Sequence, residues 1–140
     1  MKIIGRREYV DIPELGLLQV EAKLDTGAYT SSVHCEEVLL KEVSGIPTLV
    51  VSIITSDSET KKEFHFNTFT LKKFRNSFGE MEERYVIKSI LKIGNKQILA
   101  SFSLSKRDKM KYPVLLGRRP IKGRFLIDVS HLHLGGKNEQ

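Results

Sequence analysis

Three consecutive residues, Asp25, Thr26 and Gly27, combine a carboxylate, a hydroxyl and a permissive backbone at the end of an apolar stretch. Residues 22–33 around them read AKLDTGAYTSSV. A carboxylate at the end of a buried strand loses hydration and needs hydrogen-bond donors. The Thr26 hydroxyl can donate, and Gly27 permits a tight turn that brings backbone N–H groups toward the carboxylate. One such carboxylate can bind water. Two that share a proton can do more, because the ionised one activates water while the neutral one protonates a carbonyl oxygen. Like charges that close titrate as a unit. The bare triplet is equally compatible with an Asx-turn that ends a strand.

The elements that must position this loop read almost entirely as strands. KIIGRREYVDI is rich in β-branched and aromatic residues, and residues 13–16 supply a turn. LLQVEAKL alternates with period two and places Leu18, Val20, Ala22 and Leu24 on one face. TLVVSIIT and KEFHFNTFTL, the latter with Phe64 and Phe66 on one face, flank the polar turn SDSET as a hairpin. RYVIKSILKI and QILASFSL flank GNK as another. Short helices are expected in CEEVLLKEV, residues 35–43, and after Gly117, where Pro120 leaves room for little more than a turn. The pattern predicts a single domain over residues 1–140, all-β and mainly antiparallel, closed as a small barrel.

The chain has 140 residues, and its 40% hydrophobic and 29% charged content is that of a soluble globular domain. No apolar run approaches the roughly 18 residues that a membrane helix needs. The segment MKIIGRREYVDIPELG lacks the apolar core of a signal peptide, so a cytoplasmic location is expected. The single cysteine, Cys35, excludes an internal disulfide and fits a reducing compartment. Charge is unevenly spread. Residues 1–60 hold 5 Lys or Arg against 10 Asp or Glu, a balance of −5, whereas residues 61–140 hold 18 against 7, a balance of +11. A basic half is either a solvated face or an attractor of acidic partners. Nucleic acid is disfavoured, since the chain has no Trp and its Phe residues fall at strand positions.

Asp-Thr-Gly after an apolar strand is the signature loop of aspartic peptidases. Downstream, YPVLLGRRPIKGRFLIDVS sets the apolar run 114–116 directly before Gly117 and Arg118. Two hydrophobic residues, Gly and Arg after a single Asp-Thr-Gly resemble the retropepsins, the dimeric aspartic peptidases of retroviral type. In that fold the Gly lets the chain cross close behind the active-site loop, and the Arg begins a short helix and ties the core to neighbouring segments. The stretches IIGRREYVDIPELG, AKLDTGAYTSSVH, FSLSKRDKMKYPVLLGR and GRFLIDVS resemble one bacterial and archaeal branch more closely still. That branch is named for ATP-dependent zinc proteases and is recognised as retropepsin-like. The match covers both ends of the chain, and residues 40–80 follow it only loosely.

The resemblance implies a closed six-stranded acid-protease barrel with one or two short helices. It implies a catalytic role for Asp25, Thr26 and Gly27, substrate contacts from Ala28, Tyr29 and Gly79, and support of the site by Leu116, Gly117 and Arg118. Tyr29 stands where relatives often carry a basic residue. Members of the branch often occur beside or fused to ATP-grasp ligases that add glutamate, which implies a ligase partner and a peptide or protein substrate. The chain has no GxxxxGK[ST] loop of its own, and no cofactor is expected.

Zinc is not expected either. There is no HExxH or HxxEH motif. His131 and His133 would share a strand face, His34 and Cys35 would point opposite ways, and His65 stands alone. One Asp-Thr-Gly per chain then calls for a two-fold homodimer in which each copy supplies Asp25. Strands from MKIIGR or HLHL would pair across it. Asp128 and Asp57 lack the Thr-Gly context, and Asp128 is expected to cap a turn. Two tips could cover the cleft: SDSET at 56–60, or RNSFGEMEER at 75–84, which the resemblance favours. Two readings stay open, an endopeptidase acting on acidic or glutamylated peptides and a non-catalytic peptide- or partner-binding domain on the same fold.

Overall fold

The computed structural model describes residues 1–57, 60–76, 78–106 and 111–136. Ser58 and Glu59 of the first tip, Ser77 of the second, and residues 107–110 of the KRDKMKY stretch lie outside them. The fold is all-β. Six strands form a ring: β2 (Arg7–Ile12), β3 (Leu17–Leu24), β4 (Ser31–His34), β9 (Met81–Ile93), β10 (Lys96–Ser105) and β11 (Val114–Leu116). Their order is β10–β4–β11–β3–β2–β9, and β9 pairs back onto β10. β8 (Thr70–Arg75) extends one end of β9. β5 (Glu37–Val43), β6 (Ile46–Ile54) and β7 (Lys61–Phe66) form an antiparallel second sheet. β1 (Lys2–Gly5) and β12 (Phe125–Asp128) pair in parallel.

Alternation explains where the core sits. Along β10, Ile98, Ala100, Phe102 and Leu104 join the buried cluster, and Ser101, Ser103 and Ser105 take the opposite face. From the second sheet Leu49, Val51 and Ile53 enter the same cluster, with Phe64 and Phe66 packed against it. Both expected hairpins form, β6–β7 and β9–β10. The tip that follows β6 is docked onto the turn before β3. Ser56 N–H donates to the Gly16 carbonyl at 3.0 Å, and Ser56 Oγ accepts from Leu18 N–H at 2.9 Å.

Four local expectations are corrected. Residues 35–43 hold no helix, because Glu37–Val43 is strand β5, fully paired with β6. After Gly117 the chain makes turns closed onto the Arg118 and Ile121 carbonyls, and no helix. A 3-10 turn forms at Pro13–Leu15, where a simple turn was expected. In β3 the core position belongs to Leu17, and Leu18 is exposed. The register of β2 against β3 shifts between Val10 and Ile12. Gln19, at φ +51°, absorbs the extra residue, and its N–H donates to Asp11 Oδ1 at 2.7 Å.

The ends of the chain meet around a buried carboxylate. Glu8, 2% exposed, accepts from the N–H groups of Gly5 at 2.6 Å, Leu134 at 2.8 Å and Gly135 at 2.9 Å. HLHL is therefore no strand. It runs beside the bend between β1 and β2, where Arg6 N–H donates to the His131 carbonyl and His133 N–H to the Arg7 carbonyl. No helix among the described residues is long and apolar enough to cross a membrane. Glu8→Ala would remove the acceptor of two buried donors, Gly5 and Gly135, each costing about 1–3 kcal/mol, and of the half-buried Leu134 N–H. The urea midpoint should drop by the equivalent of about 3 kcal/mol or more; a shift below about 1 kcal/mol would refute the clamp.

Candidate active site

The loop of residues 25–30 hangs between β3 and β4, and β11 lies between those two strands. β11 runs parallel to β3, with Leu116 beside Leu24, and antiparallel to β4, with Leu115 beside Ser32. Both ends of the loop are thus fastened to one short strand. Asp25 N–H donates to the Leu116 carbonyl at 2.8 Å, and Gly117 N–H donates to Ser31 Oγ at 3.1 Å. Arg118 and Arg119 N–H donate to the carbonyls of Ala28 at 2.9 Å and Tyr29 at 3.0 Å. At Gly117 a Cβ would stand 2.6 Å from the Tyr29 carbonyl oxygen, so only hydrogen fits behind the loop. Leu116 lies fully buried beneath it.

Arg118 is more than a surface charge. Its Nη1 donates to the Thr26 carbonyl at 2.8 Å. The Arg118 and Arg119 guanidinium groups lie 5.8 and 5.9 Å from the Tyr29 ring centre, within cation–π range. Asp25 itself departs from expectation. It is half-buried, and among the described residues no donor of its own chain reaches its carboxylate, neither the Thr26 hydroxyl nor the Gly27 amide.

Asp25, Gly27, Ala28, Tyr29 and Gly117 line one cavity of about 320 Å³. Its far wall is Phe74 and Arg75 of β8 with Arg84 of β9, and Ser32, Ser103 and Ser105 also line it. Arg84 lies 5.2 Å over the Phe74 ring and donates through Nε to Glu82 at 3.0 Å. Gly79 does not line the cavity. It sits at the β8–β9 tip with φ +80°, and Arg75 Nη1 donates to its carbonyl at 2.7 Å. Thr26 and Arg118 face the other side of the loop, in an apolar depression of about 510 Å³ with Ile121 and Ile127. Sequence reasoning set Arg75 and Arg84 at the ends of a candidate flap without giving either a role, and passed over the serines. SFSLS at 101–105 did carry a signal, since its polar residues alternate with core residues and two of them, Ser103 and Ser105, are buried.

Among the described residues no three of His, Cys, Asp and Glu gather closely enough to hold a metal. His34 Nε2 meets Glu36, and His133 Nε2 meets Glu21 at 2.6 Å while its ring stacks on Tyr9. His131 does not share a strand face with His133; its Nδ1 lies 2.9 Å from Asp128 Oδ2. Asp128 also accepts from the hydroxyl and N–H of Ser130. These Ser130 bonds and His131 hold its carboxyl below the usual range. Ser130 and Asp128 both approach the same imidazole nitrogen, so the trio forms a turn cap and no proton relay. Cys35 is buried, and desolvation pushes its thiol up to about 12.

A closed six-stranded ring whose Asp-Thr-Gly loop is braced by an apolar-Gly-Arg strand defines a retropepsin-like domain. Residues 3–137 match the family described as retropepsin-like aspartic endopeptidase RimB, and the chain belongs to that RimB-like family. A probable alpha-L-glutamate ligase of Shewanella halifaxensis (strain HAW-EB4) is 31% identical over 98% of this chain and 31% of its own length. One of the same name from Desulfotalea psychrophila is 33% identical over 91% of this chain and 28% of its own. The chain thus spans about a third of these relatives. The crystal structure of Lpg0085, a protein of unknown function from Legionella pneumophila, superposes with a TM-score of 0.76 at 27% identity, covering 96% of this chain and 98% of that one.

Gly117→Ala should force the loop away from β11 and lower stability by about 1–3 kcal/mol, read as a fall in the urea midpoint; an unchanged midpoint would refute the close crossing. For Cys35 the sign follows from its raised value. Its contribution is full below about pH 8.5, where an unfolded thiol begins to ionise, and fades as pH rises toward the folded value. The stability gap between the native chain and Cys35→Val should therefore narrow above that pH, and a constant gap would show that Cys35 ionises freely in the folded chain.

Proposed function

We propose that the chain is an aspartic endopeptidase that works as a homodimer, each copy contributing one Asp25. The observation that carries this reading is the placement of Asp25: a rigidly held loop presents a half-buried carboxylate to a cavity and leaves it without a donor among the described residues of its own chain. A second Asp25 across a two-fold axis supplies the missing proton partner. The ionised carboxylate takes a proton from water as the hydroxyl attacks the peptide carbonyl, and the neutral one protonates the carbonyl oxygen. Collapse of the tetrahedral intermediate, with a proton delivered to the leaving nitrogen, releases the amine. The β8–β9 hairpin suits the covering flap, because Phe74, Arg75 and Arg84 come from it and the β6–β7 tip is tied down at Gly16. Ile3 and Leu126, cross-strand neighbours exposed at 44% and 56% on the β1–β12 sheet, offer apolar area for the dimer.

Acidic or glutamylated peptides are the proposed substrates. Arg75 and Arg84 in the cavity wall support this, as does the +11 balance of residues 61–140. The names of the relatives, probable alpha-L-glutamate ligases that contain a matching segment, support a ligase as the physical or genetic partner. Digestion of mixed peptides over a range of pH should show cleavage that Asp25→Asn lowers by about a thousandfold or more. Specific activity should fall on dilution, and an excess of Asp25→Asn chains should poison the native chain. Full activity from a demonstrated monomer would overturn the shared pair. Peptide binding without cleavage at any pH would favour the non-catalytic reading.

A further inference from the structure

The outer face of β8, β9 and β10 does not end at the Asp25 cavity. Arg84 of the cavity wall is cross-strand from Lys72, and Ser103 is cross-strand from Val86. Lys72 and Val86 line a neighbouring groove of about 550 Å³ that also takes in Lys88, Ser101 and Arg119. Those last three residues line a further groove of about 310 Å³ with Arg124. Alternation puts Arg84, Val86 and Lys88 on one face of β9, and Ser101, Ser103 and Ser105 on one face of β10. The three depressions therefore follow one another along one face as a trough. Serines line it along β10, and Arg84, Lys72, Lys88, Arg119 and Arg124 punctuate its sides. From Arg84 to Lys88 it runs roughly 14 Å, four residues of extended chain.

Four of its five charges are available, Arg84 being paired with Glu82. Lys72, Lys88, Arg119 and Arg124 are exposed, and none has a carboxylate within ion-pair distance among the described residues. Apart from Asp25 in the cavity, the acid on the described lining is Glu14, which accepts from Ser89 Oγ at 3.0 Å. Arg119 joins the trough to the loop, because its guanidinium rests against the Tyr29 ring. Phe66 and Phe69 of the neighbouring groove pack against the core, and the exposed Tyr29 ring is flanked by the Arg118 and Arg119 guanidinium groups.

We infer that this trough is a second binding site, one that holds an acidic, extended polypeptide segment continuous with the segment in the Asp25 cavity. The inference rests on the endopeptidase reading for the direction of the chain, and it adds a dependence on length. A peptide confined to the cavity meets Arg75 and Arg84 alone, whereas a longer acidic one also meets Lys72, Lys88, Arg119 and Arg124. Affinity should then climb with the number of acidic residues and fall steeply with salt, because exposed charges are screened beyond about 8 Å at physiological ionic strength.

The test uses fluorescence anisotropy of the full chain carrying Asp25→Asn, with glutamate-rich peptides that are either cavity-sized or long enough to pass Lys88. The long peptide should bind about tenfold or more tighter than the short one at low salt. Adding Lys88→Gln and Arg124→Gln should bring the long peptide's affinity down toward the short one's, with thermal melting showing that the chain is folded. Equal affinities for long and short peptides, or an unaltered length dependence in the double variant, would overturn the trough. Single-stranded DNA competing as well as the long peptide would overturn its assignment to an acidic polypeptide. Because binding is read without turnover, the trough is decided even where the native chain cleaves nothing, an outcome that sinks only the endopeptidase reading.

Discussion

Everything at the candidate site depends on one short strand lying between two others. β11 has three residues, yet it pairs on one side with the strand that enters the Asp25 loop and on the other with the strand that leaves it. Backbone hydrogen bonds at Asp25, Ala28 and Tyr29 then fix a turn that would otherwise be free. Such fixing matters for a shared-proton carboxylate, because misplacement by an ångström removes most of the benefit of proximity. The same crossing explains why residue 117 is glycine and why Arg118 reaches the Thr26 carbonyl. Brace and loop behave as one unit built from residues about ninety positions apart.

The terminal clamp plays a comparable part at the other end. Glu8 satisfies three backbone donors inside the fold, two of them from the C-terminal segment, so the β1–β12 pair is held against the ring by polar bonds as well as by packing. A buried carboxylate is tolerated there because charge-assisted bonds to N–H groups replace its hydration.

The sequence was most legible where local pattern and tertiary demand agree. The two hairpins, the Asp-Thr-Gly loop and the apolar run before Gly117 all lie where alternation and turn residues put them. Residues 35–43 misled because Glu, Leu and Lys favour helix, whereas pairing with the buried strand β6 decides the outcome. Leu18 misled because one bulge at Gln19 reverses the faces of everything beyond it. Glu8 gave no local signal, since its partners sit at Leu134 and Gly135. Arg75 and Arg84 were two among many basic residues, and only the pairing of β8 with β9 beside the ring brings them into the cavity that Asp25 lines.

The late position of β11 also sets an order of events in time. During synthesis β3 and β4 emerge early, but the strand that locks their loop appears some eighty residues later. Contacts of such long range form slowly, after the local hairpins. A nascent chain that stops short of β11 therefore displays Asp25 on an unlocked loop, and any activity that needs the rigid loop waits until β11 has emerged.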